Sequence, residues 1–318
     1  MARTNLHAHN QCAAAVHKQD FGNNDKDSGS AYSAPGSEAV TWPSGHAYLV
    51  FTDLDGSLLD HHTYSYRDAV PLLNRLEHSR IPVIPTTSKT RAEIVQLREE
   101  LGNNHPFIVE NGAAVFIPSG YFPAAPEGTV TRDGFWVKEF SSPRQQWLDL
   151  LAPLYDESPD DFDHFYNAGV AGIMRMTGLS EALAIEANRR EYSEPVKWLG
   201  TETAKASFVT RLREAGANVL QGGRFLAVSG DCDKGRALAW LRDVYRGVDG
   251  GEYDLAIGDS GNDVAMLEAA GTALLVRSPV HDFPTLERTA SVIKSNGYGP
   301  VGWAEGVARW LQDLKQSA

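Results

Sequence analysis

The sequence predicts an α/β protein: a mostly parallel sheet flanked by helices, interrupted by a second, smaller α+β domain. Three observations carry this reading. Short apolar runs alternate with amphipathic helical patterns toward both ends of the chain, the rhythm of βαβ units. The rhythm breaks after a Gly- and Pro-rich segment over residues 120–128 and resumes well beyond it. Two apolar runs, far apart in sequence, end abruptly in carboxylates: Tyr48-Leu49-Val50-Phe51-Thr52 runs into Asp53-Leu54-Asp55-Gly56, and Leu255-Ala256-Ile257 runs into Gly258-Asp259-Ser260-Gly261-Asn262-Asp263. Ligands of open α/β sheets bind outside the carboxyl ends of such strands.

Residues 1–45 are rich in Asn, Ser, Gly, His and Ala without periodicity, which predicts a disordered tail. The first part of the core spans 46–122. It opens with the buried strand ending at Asp53. An amphipathic helix over Asp68 to Leu76 follows, with Val70, Leu73 and Leu76 at helical spacing. The next strand, Ile81 to Pro85, carries prolines that fit poorly in a central ladder, yet it sits between two helices. Thr90 caps the second helix, Arg91 to Arg98, with Glu93 placed for a capping box. A third strand, Phe107-Ile108-Val109, ends in Glu110-Asn111-Gly112. The inserted domain spans 123–221, with helices opened by Ser142-Pro143, by Ser180-Glu181 and by Thr201-Glu202, the last ended by Gly216. The second part of the core spans 222–318: a helix from Asp233-Lys234, the strand ending at Gly258, a helix over Val264 to Ala270, a strand over Thr272 to Val276 and a closing helix from Gly302 to Lys315.

Composition narrows the function. The net charge of −12 and pI near 5.3 disfavour a nucleic-acid partner, whose binding depends on Lys and Arg. They leave room for a small anionic substrate in a local basic pocket. No apolar run approaches the roughly 18 residues of a membrane span, and no secretory signal is evident. Only Cys12 and Cys232 are present, which argues against a disulfide framework or a cysteine zinc site. Together these predict a cytoplasmic protein.

Unpaired carboxylates are costly to bury, so Asp53 and Asp55 require a cation, a proton or water. Asp53 and Asp259, each closing an apolar strand, suit a hard cation with oxygen ligands, most simply Mg²⁺. A carboxylate beside Mg²⁺ stays ionised and can act as a nucleophile. Asp55 is placed to trade a proton with a leaving oxygen. Thr87 closes the second strand, where its hydroxyl can hold an anionic oxygen. Lys234 starts a helix against the macrodipole, which a bound phosphoryl group would explain. Asn262 and Asp263 begin the next helix, as caps or as groups that orient the metal. Lys89, Arg190 and Arg224 are ordinary surface cations taken singly.

Taken in order, Asp53-Leu54-Asp55-Gly56-Ser57, Thr87, Lys234 and Gly258-Asp259-Ser260-Gly261-Asn262-Asp263 resemble the haloacid dehalogenase superfamily of phosphohydrolases. The resemblance implies a Rossmannoid parallel-sheet core, and the insert looks like the superfamily's C2-type cap. Five further stretches are similar to the mannosyl-3-phosphoglycerate phosphatase family: Thr87 to Ile94, Pro106 to Pro118, Met176 to Ser180, Arg190 to Pro195 and Gly222 to Phe225. That resemblance implies Mg²⁺ held by Asp53, the Asp55 carbonyl and Asp259, with Asp263 beside them. It implies Asp53 as nucleophile, Asp55 as acid and base, and Thr87 and Lys234 on the transferring phosphoryl. Lys89, Asn111, Arg190, Arg224 and Asn262 are implied substrate contacts. The implied product is mannosylglycerate, a compatible solute. A glucosyl-3-phosphoglycerate or sucrose phosphate substrate keeps the same chemistry. A phosphomutase would need a cap that retains its intermediate, and a non-catalytic relative would lack one of the three aspartates.

Overall fold

The computed structural model describes residues 48–222, 224–249 and 253–317. The tail expected over residues 1–45 lies outside them. The described chain runs β1 (Tyr48–Thr52), α1 (Val70–His78), β2 (Val83–Pro85), α2 (Arg91–Leu101) and β3 (Phe107–Val109), as the apolar patterning predicts. The Thr90 capping box with Glu93 is formed. Next come β4 (Ala114–Pro118), β5 (Val130–Arg132) and β6 (Phe135–Glu139). The following stretch carries α3 (Arg144–Glu157), β7 (Phe162–His164), α4 (Phe165–Thr177), α5 (Glu181–Asn188), β8 (Glu194–Trp198), α6 (Glu202–Glu214), β9 (Asn218–Gln221) and β10 (Leu226–Ser229). The chain closes with α7 (Lys234–Asp249), β11 (Tyr253–Gly258), α8 (Val264–Ala269), β12 (Thr272–Arg277), β13 (Val292–Tyr298) and α9 (Gly299–Ser317).

The central sheet is parallel, in the order β13-β12-β11-β1-β2. Both faces of β1 are buried, and its side chains alternate between two cores. Tyr48 and Val50 join one with Leu76 of α1 and Trp303, Val307 and Trp310 of α9. Leu49 and Phe51 join the other with Leu238 and Leu241 of α7 and Met266 of α8. Period-two alternation between two apolar layers explains the unbroken apolar run. The proline-bearing β2 is the last strand of this sheet, a position that tolerates a missing N–H.

A second, antiparallel sheet follows in the order β3-β4-β6-β5, joined to the first by a parallel bridge between Thr86 and Ile108. The third sheet, β7-β8-β10-β9, is also antiparallel. It packs Val196, Val219 and Val228 against Trp147 and Leu151 of α3 and Phe208 and Leu212 of α6. The boundaries expected at 122/123 and 221/222 both fall inside sheets. β6 pairs with β4 across the first, and β9 pairs with β10 across the second. The Gly- and Pro-rich segment after Ser119 is a connection within the second sheet, not a domain linker. The chain crosses between sheets at Ser141 and Gly230, which touch through a 2.9 Å hydrogen bond from Gly230 N to Ser141 Oγ. Among the described residues no helix is long and apolar enough to cross a membrane.

Candidate active site

The site is built where β1 and β11 end side by side. Their parallel register continues past the strands, with Asp53 N donating to Ile257 O at 2.8 Å. Asp53 and Asp259 therefore leave the same edge of the sheet. Lys234 enters from the first residue of α7 and is completely buried. Its Nζ lies 2.6 Å from Asp53 Oδ1 and 2.7 Å from Asp263 Oδ1. Those two carboxylates supply the reason for a cation at a helix N-terminus. The other oxygen of Asp263 accepts from Asp259 N at 3.1 Å and Ser260 N at 3.0 Å, so it orients the turn that carries Asp259.

Carboxylate oxygens of Asp53, Asp259 and Asp263 lie within 4.8 Å of one another. With all three carboxylates ionised against one ammonium, the cluster is two charges negative. Burial and the Asp263 carboxylate push the Asp53 carboxyl well above the usual range, against the pull of Lys234. Burial and Asp263 likewise push Asp259 up to about 7. Burial would lower Lys234, but Asp263 and Asp53 outweigh it and hold the ammonium charged.

This donor set fits a hard divalent cation. Asp259 Oδ1 is buried and has no hydrogen-bond partner, a state that coordination relieves. Gly56 keeps the turn after β1 open: it has φ +84°, and a Cβ there would stand 2.6 Å from Asp259 Oδ2. Asp53, the Asp55 carbonyl and Asp259 are the residues that would hold Mg²⁺. Asp263, expected among the metal residues, has both oxygens engaged by Lys234 and the Asp259–Ser260 backbone.

Asp55 turns out of the strand and pairs with Lys89, Nζ to Oδ2 at 2.9 Å. Burial would lower Lys89, but the Asp55 and Glu93 carboxylates raise it. Thr87 is buried at the exit of β2; its Oγ1 accepts from Lys89 N at 3.1 Å, and its carbonyl accepts from Asn111 N at 2.9 Å. Asn111 in turn accepts from Asn262 Nδ2 at 3.0 Å, which ties the end of β3 to the loop after β11. Asp53, Asp55, Thr87, Lys89, Asn111, Lys234, Asp259, Asn262 and Asp263 are thus one connected cluster.

The two arginines stand apart from it. Arg190 donates to Ser193 Oγ at 2.9 Å and to Ser88 O at 3.2 Å, and lies 3.7 Å from Glu110 Oε2. It fastens the insert to the core beside the site. Arg224 is exposed in the turn between β9 and β10 and donates to Thr177 O at 3.1 Å. Its carbonyl partner is the last residue of α4.

Two further residues were not singled out by the sequence. Glu110 is completely buried and accepts from Glu191 N at 2.8 Å, Tyr192 N at 3.3 Å and Ser193 Oγ at 2.6 Å. Its signal was present: a carboxylate closing an apolar strand, as at Asp53 and Asp259. His281 lies in the loop between β12 and β13, with Nε2 3.5 Å from Asp259 Oδ2. Nothing local marks it, because the fold alone brings that loop over the sheet edge.

A parallel sheet presenting this cluster at its carboxyl edge, with an antiparallel domain inserted, is the architecture of a haloacid dehalogenase-type hydrolase. A family model described as haloacid dehalogenase-like hydrolase matches residues 50–122. The chain is 35% identical over 260 residues, 82% of this chain and 96% of the relative, to a glucosyl-3-phosphoglycerate/mannosyl-3-phosphoglycerate phosphatase of Methanococcoides burtonii. It is 32% identical over 275 residues, 84% of this chain and 98% of the relative, to one of the same name from Persephonella marina. A haloalkanoate-superfamily phosphatase structure from Bacteroides thetaiotaomicron matches at TM-score 0.60 and 18% identity, over 88% of this chain and 99% of that one; it attests the fold. The chain belongs to the haloacid dehalogenase-like phosphatases with a C2-type cap, in the family of those two relatives, and is a phosphoric monoester hydrolase.

Proposed function

We propose that this protein is a Mg²⁺-dependent phosphatase of mannosyl-3-phosphoglycerate or its glucosyl counterpart, releasing the glycosylglycerate. The names of both relatives support the substrate class. The observation that carries the chemistry is the Asp53–Lys234–Asp259 cluster, net negative, with an unpartnered buried oxygen at Asp259.

In this reading Asp53 attacks phosphorus as the bond to the glycerate oxygen breaks, forming an aspartyl-phosphate. Asp55 gives its proton to that leaving oxygen. It then takes a proton from the water that splits the aspartyl-phosphate, returning Asp53 as carboxylate and releasing phosphate. Lys234 and Thr87 face the developing phosphoryl charge, which is the main catalytic demand of such a transfer. Bound Mg²⁺ supplies further neutralisation of phosphoryl charge. In this reading Lys89, paired with Asp55, and Asn111, bonded to Thr87 O, contact the leaving group.

The test is phosphate release with Mg²⁺ from mannosyl-3-phosphoglycerate, glucosyl-3-phosphoglycerate and sucrose 6-phosphate. Turnover of either phosphoglycerate ester above sucrose 6-phosphate supports the reading. Preference for sucrose 6-phosphate would overturn the substrate and keep the chemistry.

A further inference from the structure

The loop after the first catalytic turn carries a feature that the mechanism above leaves unused. Tyr64 has φ +56° and is 46% exposed. A bulky side chain in the left-handed region is strained and persists where surroundings impose it. Here they do. Asp60 N donates to Ser65 O at 2.9 Å and Tyr64 N to Asp60 O at 3.0 Å. Asp60 Oδ1 accepts from Thr63 N and Thr63 Oγ1, each at 2.8 Å. The loop is pinned at its root to the catalytic turn, where Gly56 N donates to Leu59 O at 2.9 Å.

The turn delivers the ring to one place. Lys89 Nζ lies 5.5 Å from the Tyr64 ring centroid, and the same Nζ lies 2.9 Å from Asp55 Oδ2. Tyr64 therefore stands beside the acid–base residue, where the leaving group of a phosphate ester must depart. One face of the ring covers an ammonium, and much of the remaining ring is open to solvent. Arg190 of the insert reaches Ser88 O, on the residue next to Lys89 in the chain. An exposed aromatic at the mouth of a charged site, held there against its backbone preference, is the kind of surface on which the C–H face of a sugar ring packs.

We propose that Tyr64 is a specificity-determining residue: its ring is the core-side wall against which the glycosyl group of the substrate stacks. This rests on the reading of the substrate as a glycosyl ester of phosphoglycerate.

The experiment compares wild type with Tyr64→Gly and Tyr64→Phe on glycosyl-3-phosphoglycerate and on bare 3-phosphoglycerate, which has the same leaving oxygen and no sugar. Glycine suits the backbone at φ +56°, so Tyr64→Gly removes the ring without straining the loop. The expected result is a KM for the glycosyl ester raised about tenfold with kcat within about twofold, and unchanged kcat/KM on 3-phosphoglycerate. Tyr64→Phe retains the wall and stays within about threefold of wild type on both. A kcat loss shared equally by both substrates would show that Tyr64 acts only by holding Lys89, and would overturn the proposal, as would no change on either. If wild type spurns both glycosyl-3-phosphoglycerates, the function reading fails separately. The Tyr64 proposal is then judged on the ratio of glucose 6-phosphate to acetyl phosphate turnover, and falls if Tyr64→Gly leaves that ratio unchanged.

Discussion

Two of the buried carboxylate networks among the described residues, both beside the sheet edge, differ in one respect. Around Lys234, two carboxylates share one ammonium, and a third, Asp259, stands beside them with its Oδ1 unpartnered. Around Glu110, a single carboxylate takes two backbone N–H groups and a hydroxyl from the insert, with Arg190 3.7 Å away. Both sit at the carboxyl end of a strand, and both are nearly inaccessible to solvent. Both Glu110 oxygens are engaged as they stand, while Arg190 Nε beside them has no partner, and the carboxylate joins two domains. The Lys234 cluster is incomplete, with surplus negative charge that desolvation makes expensive. Completion makes a joint, whereas incompleteness makes a site for something brought from outside.

The comparison breaks if the two networks respond alike to substitution. Asp53→Asn preserves shape and removes the proposed nucleophile, and lowers kcat for phosphate release on the order of 10⁴-fold or more. Residual activity within tenfold of wild type, in a phosphate-release assay, would take Asp53 out of the reaction. Lys234→Met strands Asp53 and Asp263 without their cation and costs about 3–5 kcal/mol of stability in denaturant unfolding. Added Mg²⁺ recovers part of that loss, because it answers the same surplus charge. Glu110→Gln puts an NH₂ where an acceptor is needed and costs about 1.5–3 kcal/mol. Mg²⁺ does not recover it, and kcat falls less than KM rises. If Mg²⁺ rescued Glu110→Gln as fully as Lys234→Met, the distinction between joint and site would fail.

How much of this was legible in the sequence follows the same line. The strands ending at Asp53 and Gly258 were readable because an apolar run cut short by carboxylates is a local signal. The Thr90 box was readable because capping depends on neighbours in sequence. Of the second sheet only β3 was readable. β5 is exposed and short, and only its pairing with β6 holds it in place. β13 alternates buried Ile293 and Ser295 with exposed Lys294 and Asn296, too polar a pattern to stand out. Arg190 was legible as a residue that matters, but not as a fastener. Its partners Ser88 and Glu110 lie far away in the chain, and no spacing rule reports a contact made by folding. His281 reaches Asp259 for the same reason.

The smallest expected effect sharpens the comparison furthest, because it separates the networks without changing a residue. In the metal-free protein Asp259 stands at about 7 against an ordinary 3.8. Between those values the folded chain keeps a proton that the unfolded chain has released. Stability therefore falls as pH rises through that window, and the loss is complete above about 7. Mg²⁺ needs the ionised carboxylate and binds only the folded chain, so its stabilisation grows over the same range. With chelator, Tm should fall by about 2–4 °C between about pH 5 and pH 8; with Mg²⁺ the slope should flatten or reverse. Glu110→Gln should lower both curves and keep their divergence, while Asp259→Asn should shrink it, leaving only what Asp53 contributes. A metal-free Tm that rises across the window would mean that the surplus charge at Lys234 is already answered within the fold, and that the cluster is a joint after all.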